Sequence, residues 1–304
     1  SIKSVPSSVT VYSEEQIKRM GVNRLSELIT YVPGYQSYSD KSSAFTVKSS
    51  SRGVSSDSSG KEILILMDGH RLNSNWTGGT GFFDAVISLD NIDRVEFIRG
   101  PGSAIYGSNA FMGVINVITK KDNVVSLSGG NTDSHRASFQ YNQMIRDVDI
   151  SVFIKDERDG GDDISGFDRL SNSFVNTKDH VDYHEIYSVI KKDGFQSKGR
   201  FVSRKSKGFY NGGNLSDNNY RDTESYYLDA SYRMTKDKFE TNIEVHGDTR
   251  KSYNITQSSP TLSFLADAEE REYGARITSQ YEISDVDRLL AGYEYRVSDI
   301  IKSK

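Results

Sequence analysis

The sequence predicts an α+β domain, a small mixed sheet with short helices, followed by antiparallel transmembrane β-barrel strands that this chain leaves incomplete. Three observations predict it. The run Leu89–Thr119 reads as two short apolar strands, Arg94–Ile98 and Val114–Thr119, around a turn holding Gly100, Pro101, Gly102 and Gly107 and closing at Gly113. From residue 122 onward, helical periodicity disappears and apolar and polar residues alternate with period two. Only 35% of the 304 residues are hydrophobic, yet there are 18 Tyr and 14 Phe against one Trp. That profile suits sheets with one watery face and one face of amphipathic rings.

Composition also excludes. A net charge of −4 with no dense Lys/Arg block gives nucleic-acid binding little support. The absence of cysteine rules out a disulfide framework and thiolate metal sites. No apolar run is long enough for a transmembrane helix, a test that alternating barrel strands escape. Ser1-Ile2-Lys3 does not open a signal peptide, so the chain is expected to begin after processing or further in.

Within residues 1–121, Ser7–Tyr12 reads as a strand. Ser13 with Gln16 forms a capping-box pattern, Ile17 and Met20 make an apolar helix side, and Gly21 stops the helix. Asn23 is expected to cap a second helix with Leu25, Leu28 and Ile29 inward, ended by Pro33-Gly34. The Ser-rich stretch 37–59 reads as a loop with one apolar beat at Ala44–Val47 and an Arg52-Gly53 pair. Glu62–Met67 is apolar throughout, as in a strand buried on both faces, and Asp68-Gly69 turns after it. Asn73–Phe83 is an irregular loop carrying the single Trp.

Downstream, Tyr226, Leu228, Ala230, Tyr232 and Met234 share one face, and Ser225, Tyr227, Asp229, Ser231 and Arg233 the other. The same split recurs over 239–246, 272–283 and 291–297. A soluble sandwich would turn the apolar faces inward, whereas a barrel turns them to lipid and the charges to a wet lumen. The density of charge favours the barrel. Short turns at 192–194 and 235–237 alternate with long polar stretches, 156–182 and 203–222, as periplasmic turns alternate with extracellular loops.

No enzyme is expected. Ser103, Ser108, His70 and Asp68 could be imagined as a triad, but no Gly-x-Ser-x-Gly elbow is present. Asp159, Asp162, Asp163 and Asp168 form an acidic stretch without EF-hand spacing, a weak Ca²⁺ candidate in the outer loops. No other cofactor is expected. His180 and His184 share a strand face but offer little for a metal.

The order of pieces in residues 1–121 resembles the plug domain of TonB-dependent outer-membrane receptors. The resemblance is carried by Val9–Tyr12, the helix ending Val32-Pro33-Gly34, Arg52-Gly53, Ile63–Asn73, and Arg99-Gly100-Pro101 with Tyr106-Gly107 and Gly113–Thr119. It implies a plug (1–121) inside the N-terminal portion of an outer-membrane barrel (122–304). Family barrels have about 22 strands, and residues 122–304 have room for roughly eight or nine. No TonB box is recognisable before the plug. The resemblance further implies energy-coupled uptake of a scarce chelate, most often a ferric siderophore, with cobalamin or haem as alternatives. Its partners would be the TonB–ExbB–ExbD complex and outer-membrane lipid or lipopolysaccharide. A non-transporting adhesion protein is the competing class.

On this reading Arg52 and Arg99 lock the plug to barrel carboxylates, and Glu96 pairs with Arg94 or Arg99. Gly100, Pro101, Tyr106 and Gly107 build the diagnostic turn. Ligand contacts at the plug apex are expected from Tyr35, Tyr38, Asn73, Asn75, Trp76 and Phe82, with the rings stacking on a planar chelate.

Overall fold

The computed structural model describes residues 8–303 apart from 39–47, 52–59, 80–86, 101, 103–105, 209, 212–213, 217, 258–262 and 285–286. The N-terminal unit runs β1 (Ser8–Ser13), α1 (Glu14–Met20), α2 (Leu25–Ile29), β2 (Tyr35–Tyr38), β3 (Lys48–Ser51), β4 (Ile63–Met67), β5 (His70–Arg71), β6 (Ile92–Arg99) and β7 (Gly113–Thr119). Its main sheet has the order β1-β6-β7-β4-β5 and is mixed, because β4 runs parallel to β7 while the other pairs are antiparallel.

The local signals act as their chemistry dictates. The Ser13 hydroxyl accepts from Gln16 N and the Gln16 side chain accepts from Ser13 N, closing the capping box, and Gly21 ends α1 at φ 68°. The second helix departs from expectation: Arg24, not Asn23, is its N-cap. The Glu27 carboxylate turns back to accept from the backbone N–H groups of Asn23 and Arg24, making the Asn23 side chain unnecessary. In the Ser-rich stretch, β2 and β3 pair over Tyr35–Tyr38 and Lys48–Ser51, because a short ladder satisfies backbone groups that polar side chains leave open. The apolar beat 44–47 lies outside the described residues.

All five residues of β4 are buried, because both faces of the sheet are covered. Ile63, Ile65 and Met67 pack with Leu28, Ile29, Val95 and Phe97 on one side, and Leu64 and Leu66 pack with Ile98, Ala110 and Val114 on the other. Each such aliphatic side chain contributes about 1.5–3 kcal/mol on burial.

The second unit is an antiparallel wall. Its strands are β8 (Val124–Gly129), β9 (His135–Ile145), β10 (Val148–Asp159), β13 (Val181–Lys192), β14 (Phe195–Lys207), β17 (Tyr220–Lys236), β18 (Phe239–Gln257), β19 (Ser263–Glu282) and β20 (Arg288–Ser303). Two small hairpins, β11/β12 (Asp163–Asp168, Ser173–Lys178) and β15/β16 (Tyr210–Asn211, Asn214–Leu215), sit in the longer connections. The nine strands pair in order from β8 to β20 without closing, so those two are the edges.

The strands outrun their apolar alternation. β19 has 20 residues, about 65 Å at the usual rise, against an apolar band about 25 Å tall. Part of the stretches 156–182 and 203–222 is therefore strand: β10 reaches Asp159 and β14 reaches Lys207. Beyond the band both faces meet water, so the pattern reads as loop while the backbone ladder continues.

The wall's faces are inverted relative to a soluble sheet. Leu228 is 63% exposed and Asp229 0%; Tyr273 is 57% exposed and Glu272 2%. The charged face closes on the N-terminal unit. No helix among the described residues is long and apolar enough to cross a membrane.

Candidate functional site

The site is the seam between the two units, and it is built from the end of β4. Asp68 and Gly69 both have positive φ, 47° and 85°, the pattern of a type I′ hairpin turn. The turn sets Met67 opposite His70 and thrusts Asp68 and His70 toward the wall. Asp68 Oδ2 accepts from Thr119 Oγ1 at 2.6 Å and from the Tyr187 hydroxyl on β13 at 2.6 Å, while Oδ1 accepts from Thr119 N at 3.0 Å. The Asp68 carbonyl accepts from Lys198 Nζ of β14 at 3.0 Å.

His70 lies between two wall carboxylates. Its Nε2 is 3.0 Å from Asp248 Oδ1 on β18, and its Nδ1 is 3.5 Å from Asp229 Oδ2 on β17. The ring stacks on Tyr227 at 3.7 Å between centroids. Burial pulls the His70 pKa down, but the charges and hydrogen bonds of Asp248 and Asp229 outweigh it, and the net direction is upward.

Two further contacts flank this one. Ser74 Oγ and Asn75 N donate to the Glu270 carboxylate at 2.6 and 2.8 Å, and the Asn75 amide donates to Glu272. On the other flank Lys155 Nζ lies 2.8 Å from Asp90 and 2.7 Å from Glu157, which Arg24 also meets at 3.2 Å. A polar cleft of about 30 Å³ runs between Arg71, Tyr106, His246, Glu272 and Arg296. Burial, with the nearby Arg296 charge, lowers the Arg71 pKa to about 10. The seam thus combines charge-assisted bonds, which water can replace when the units part, with an apolar patch where Phe153, Tyr187, Val189 and Tyr227 of the wall join the plug core.

The expected site residues are distributed differently. Arg99 donates to Ser8 Oγ at 2.6 Å, within its own unit, instead of meeting a wall carboxylate among the described residues. Glu96 pairs with Arg94 at 2.8 Å and accepts from Asn116 at 2.8 Å, so it too braces the N-terminal sheet. Arg52 lies outside the described residues, as do Pro101 and Phe82. Gly100 and Gly107 have φ of 121° and 77°, and the Tyr106 and Ser108 carbonyls accept from Arg71, which ties the turn to β5.

Tyr35 and Asn73 are not apical contacts. Tyr35 is buried edge-on against Phe97, and its hydroxyl reaches the Ile98 carbonyl at 3.4 Å. Asn73 uses its whole amide inside the fold, accepting from Ile65 N and donating to the Ile63 and Gly78 carbonyls. Asn75 belongs to the seam. Trp76 stays 40% exposed on its loop, and Tyr38 ends β2.

The acidic stretch does not gather. Asp159 accepts from Ser134 and Gly161 N, Asp162 N binds Asp179, Asp163 lies 3.8 Å from Lys178, and Asp168 caps the 170–171 turn. Among the described residues the group with cation-ligand spacing is His246, Asp248 and Glu272. Both His70 ring nitrogens face carboxylates and Ser108 accepts from Arg296, so these two do not pair as a triad would need, and Ser103 lies outside the described residues.

Sequence reasoning missed Asp68, His70, Glu157, Asp229, Asp248 and Glu270 as seam residues. A signal existed: an Asp-Gly turn followed by histidine at the end of a wholly apolar strand forces charge to the edge of the unit.

Residues 1–114 match the family model described as the TonB-dependent receptor plug domain. The N-terminal unit therefore carries a TonB-dependent receptor plug domain. A vitamin B12 transporter, BtuB, from Vibrio vulnificus (strain CMCP6) is 35% identical over 143 residues, covering 45% of this chain and 22% of the transporter. Another from strain YJ016 is 29% identical over 164 residues, covering 52% and 26%. Among solved structures, the ferric enterobactin receptor PfeA of Pseudomonas aeruginosa superposes with TM-score 0.71 at 18% identity over 96% of this chain and 49% of that one. The ferric-catecholate receptor Fiu of E. coli K12 gives 0.70 at 16% over 97% and 49%. The chain therefore spans about half of these receptors and aligns with about a quarter of the B12 transporters. The N-terminal unit is the plug, and the nine-stranded wall is part of the barrel.

Proposed function

We propose that the protein is an outer-membrane receptor that imports a scarce metal chelate, with residues 1–121 as plug and 122–304 as the N-terminal part of its barrel. The observation that carries this reading is the seam: a plug held by exchangeable polar contacts inside a wall whose apolar face points outward. Displacing such a plug exchanges its polar contacts for water and gives up an apolar patch at Phe153, Tyr187, Val189 and Tyr227. Energy for displacement would come from the TonB–ExbB–ExbD complex, and the outward face would meet lipid and lipopolysaccharide. Ferric siderophore is the first cargo class. A corrinoid is the second, favoured by the 35% identity to a vitamin B12 transporter.

The test is growth of a strain lacking the protein on a panel of ferric chelates, haem and cobalamin. The reading expects loss of growth on one class, restored by the intact gene. Normal growth on every member overturns it. A plug deletion then separates transport from adhesion, since only transport loses its energy dependence.

A further inference from the structure

His246 and Asp248 stand two residues apart on β18, so they share its lumen face, and Glu272 of β19 lies directly opposite Asp248. One ligand atom from each lies within 4.8 Å of the others. The three side chains are more than nine-tenths buried, with exposures of 8%, 3% and 3%. Hydrogen bonding leaves the group incomplete. His246 Nε2 lies 3.4 Å from Glu272 Oε1, while His246 Nδ1 and Asp248 Oδ2 are buried with no hydrogen-bond partner among the described residues. Buried polar atoms in that state call for a partner, and a cation supplies one to a lone pair. Gly274 faces His246 across the ladder, and a Cβ there would collide with the imidazole, so the glycine makes the room that the ring occupies. The surrounding cations are divided. Arg250 is shared between Asp248 and Glu270 at 3.0 and 4.0 Å, and Arg296 between Glu272 and Glu294 at 3.9 and 3.5 Å. His70 meets Asp248 through its other oxygen, Oδ1. Arg71 donates to the Tyr106 and Ser108 carbonyls, Arg276 pairs with Glu244, and Lys198 with Asp229. Neither carboxylate of the group therefore has an arginine of its own. The adjoining cleft of about 30 Å³, walled on the plug side by Leu64 and Leu66, has room for one water-sized group.

We propose that His246, Asp248 and Glu272 form a binding site for a divalent transition-metal ion of the zinc class, with a fourth position open to a water in the cleft. One imidazole and two carboxylates suit zinc, which takes mixed nitrogen and oxygen ligands in a tetrahedron. From the plug, Asn75 donates to Oε2 of Glu272 and so fixes the carboxylate's orientation. A metal here stitches β18 to β19 at the point where the plug rests. It is a resident ion, and the proposal is independent of the cargo.

The test is zinc binding to the intact receptor in detergent, stripped with a chelator and titrated with Zn²⁺ alone at about pH 7.5. Wild type should bind one tight equivalent. His246→Gln and Glu272→Gln should each weaken it by at least about 10–100-fold, the loss already typical when only a ligand's hydrogen-bond partner is removed. X-ray absorption at the zinc edge of the wild type should show one imidazole in a nitrogen and oxygen shell at about 2.0–2.2 Å. His184 and Asp156 make an exposed pair open to adventitious zinc, so His184→Gln is the control and should bind as wild type. Absence of saturable wild-type binding overturns the proposal, as does binding that survives unchanged in His246→Gln or vanishes in His184→Gln. Should the ligand variants fail to fold, the wild-type absorption spectrum and His184→Gln decide: a shell of oxygens without imidazole overturns the site.

Discussion

Tyr187 on the barrel wall donates its hydroxyl to Oδ2 of Asp68 at 2.6 Å, and the same carboxylate receives the backbone N–H and hydroxyl of Thr119. One side chain at the tip of a hairpin therefore joins two plug strands to the wall. Asp68→Ala strands three donors, each costing about 1–3 kcal/mol where buried. Tyr187→Phe removes one hydrogen bond, about 1 kcal/mol. Thermal unfolding of the receptor should rank Asp68→Ala well below Tyr187→Phe, and equal losses would mean that the carboxylate does not organise the joint.

Gly113 is the close-approach position of the plug. A Cβ there would enter the space of the Tyr35 hydroxyl and crowd the Ile98 carbonyl. Gly113→Ala should destabilise the plug by about 1–3 kcal/mol, the usual cost of overpacking. Adding Tyr35→Phe should recover part of the loss, measured as a positive coupling in a denaturant-midpoint double-mutant cycle.

Glu157 neutralises three cations, with Lys155 at 2.7 Å, Arg24 at 3.2 Å and Arg136 at 3.3 Å. Glu157→Gln should cost about 1.5–3 kcal/mol, the usual loss of charge-assisted bonds, since Lys155 keeps Asp90 and the two arginines are partly exposed. The pair Lys178–Asp163, 3.8 Å apart and mostly exposed, is the contrast. Asp163→Asn should change stability by less than about 1 kcal/mol. Plug release in chaotrope, followed by protease sensitivity, measures both.

Acid should loosen the plug at its first helix. Burial pushes the Glu14 pKa up, but hydrogen bonds and charge from Lys18 and Lys120 prevail and hold it below 4.5. With a lowered folded-state value, its contribution is complete above the unfolded pKa of about 4.5 and is lost as pH falls through the folded value. Glu14→Gln should flatten that part of the stability profile in an acid titration. An unchanged acid limb would assign the effect to other carboxylates.

Local signals made much of the fold legible: the Ser13–Gln16 box, the apolar run of β4 and the alternation around Leu228 each report one backbone geometry directly. Strand ends were less legible, because polar residues past the lipid band carry no alternation while their backbone still pairs. The seam was hidden for another reason. His70 becomes meaningful only when Asp229 and Asp248, some 160 and 180 residues away, reach the same point, and a single sequence does not mark such pairs. Arg99 misled because a charge beside an apolar strand needs an acceptor, and Ser8 on the neighbouring strand supplies it.

The inversion of the wall is the central claim, and spin labels placed singly at positions 225–234 of the intact receptor in bilayers test it most directly. The account predicts that labels at 226, 228, 232 and 234 collide mainly with lipid-dissolved oxygen, while those at 225, 227 and 229 are shielded from it. Loss of that alternation, or its reversal with Leu228 shielded and Asp229 open to lipid, would contradict a plug enclosed by the charged face.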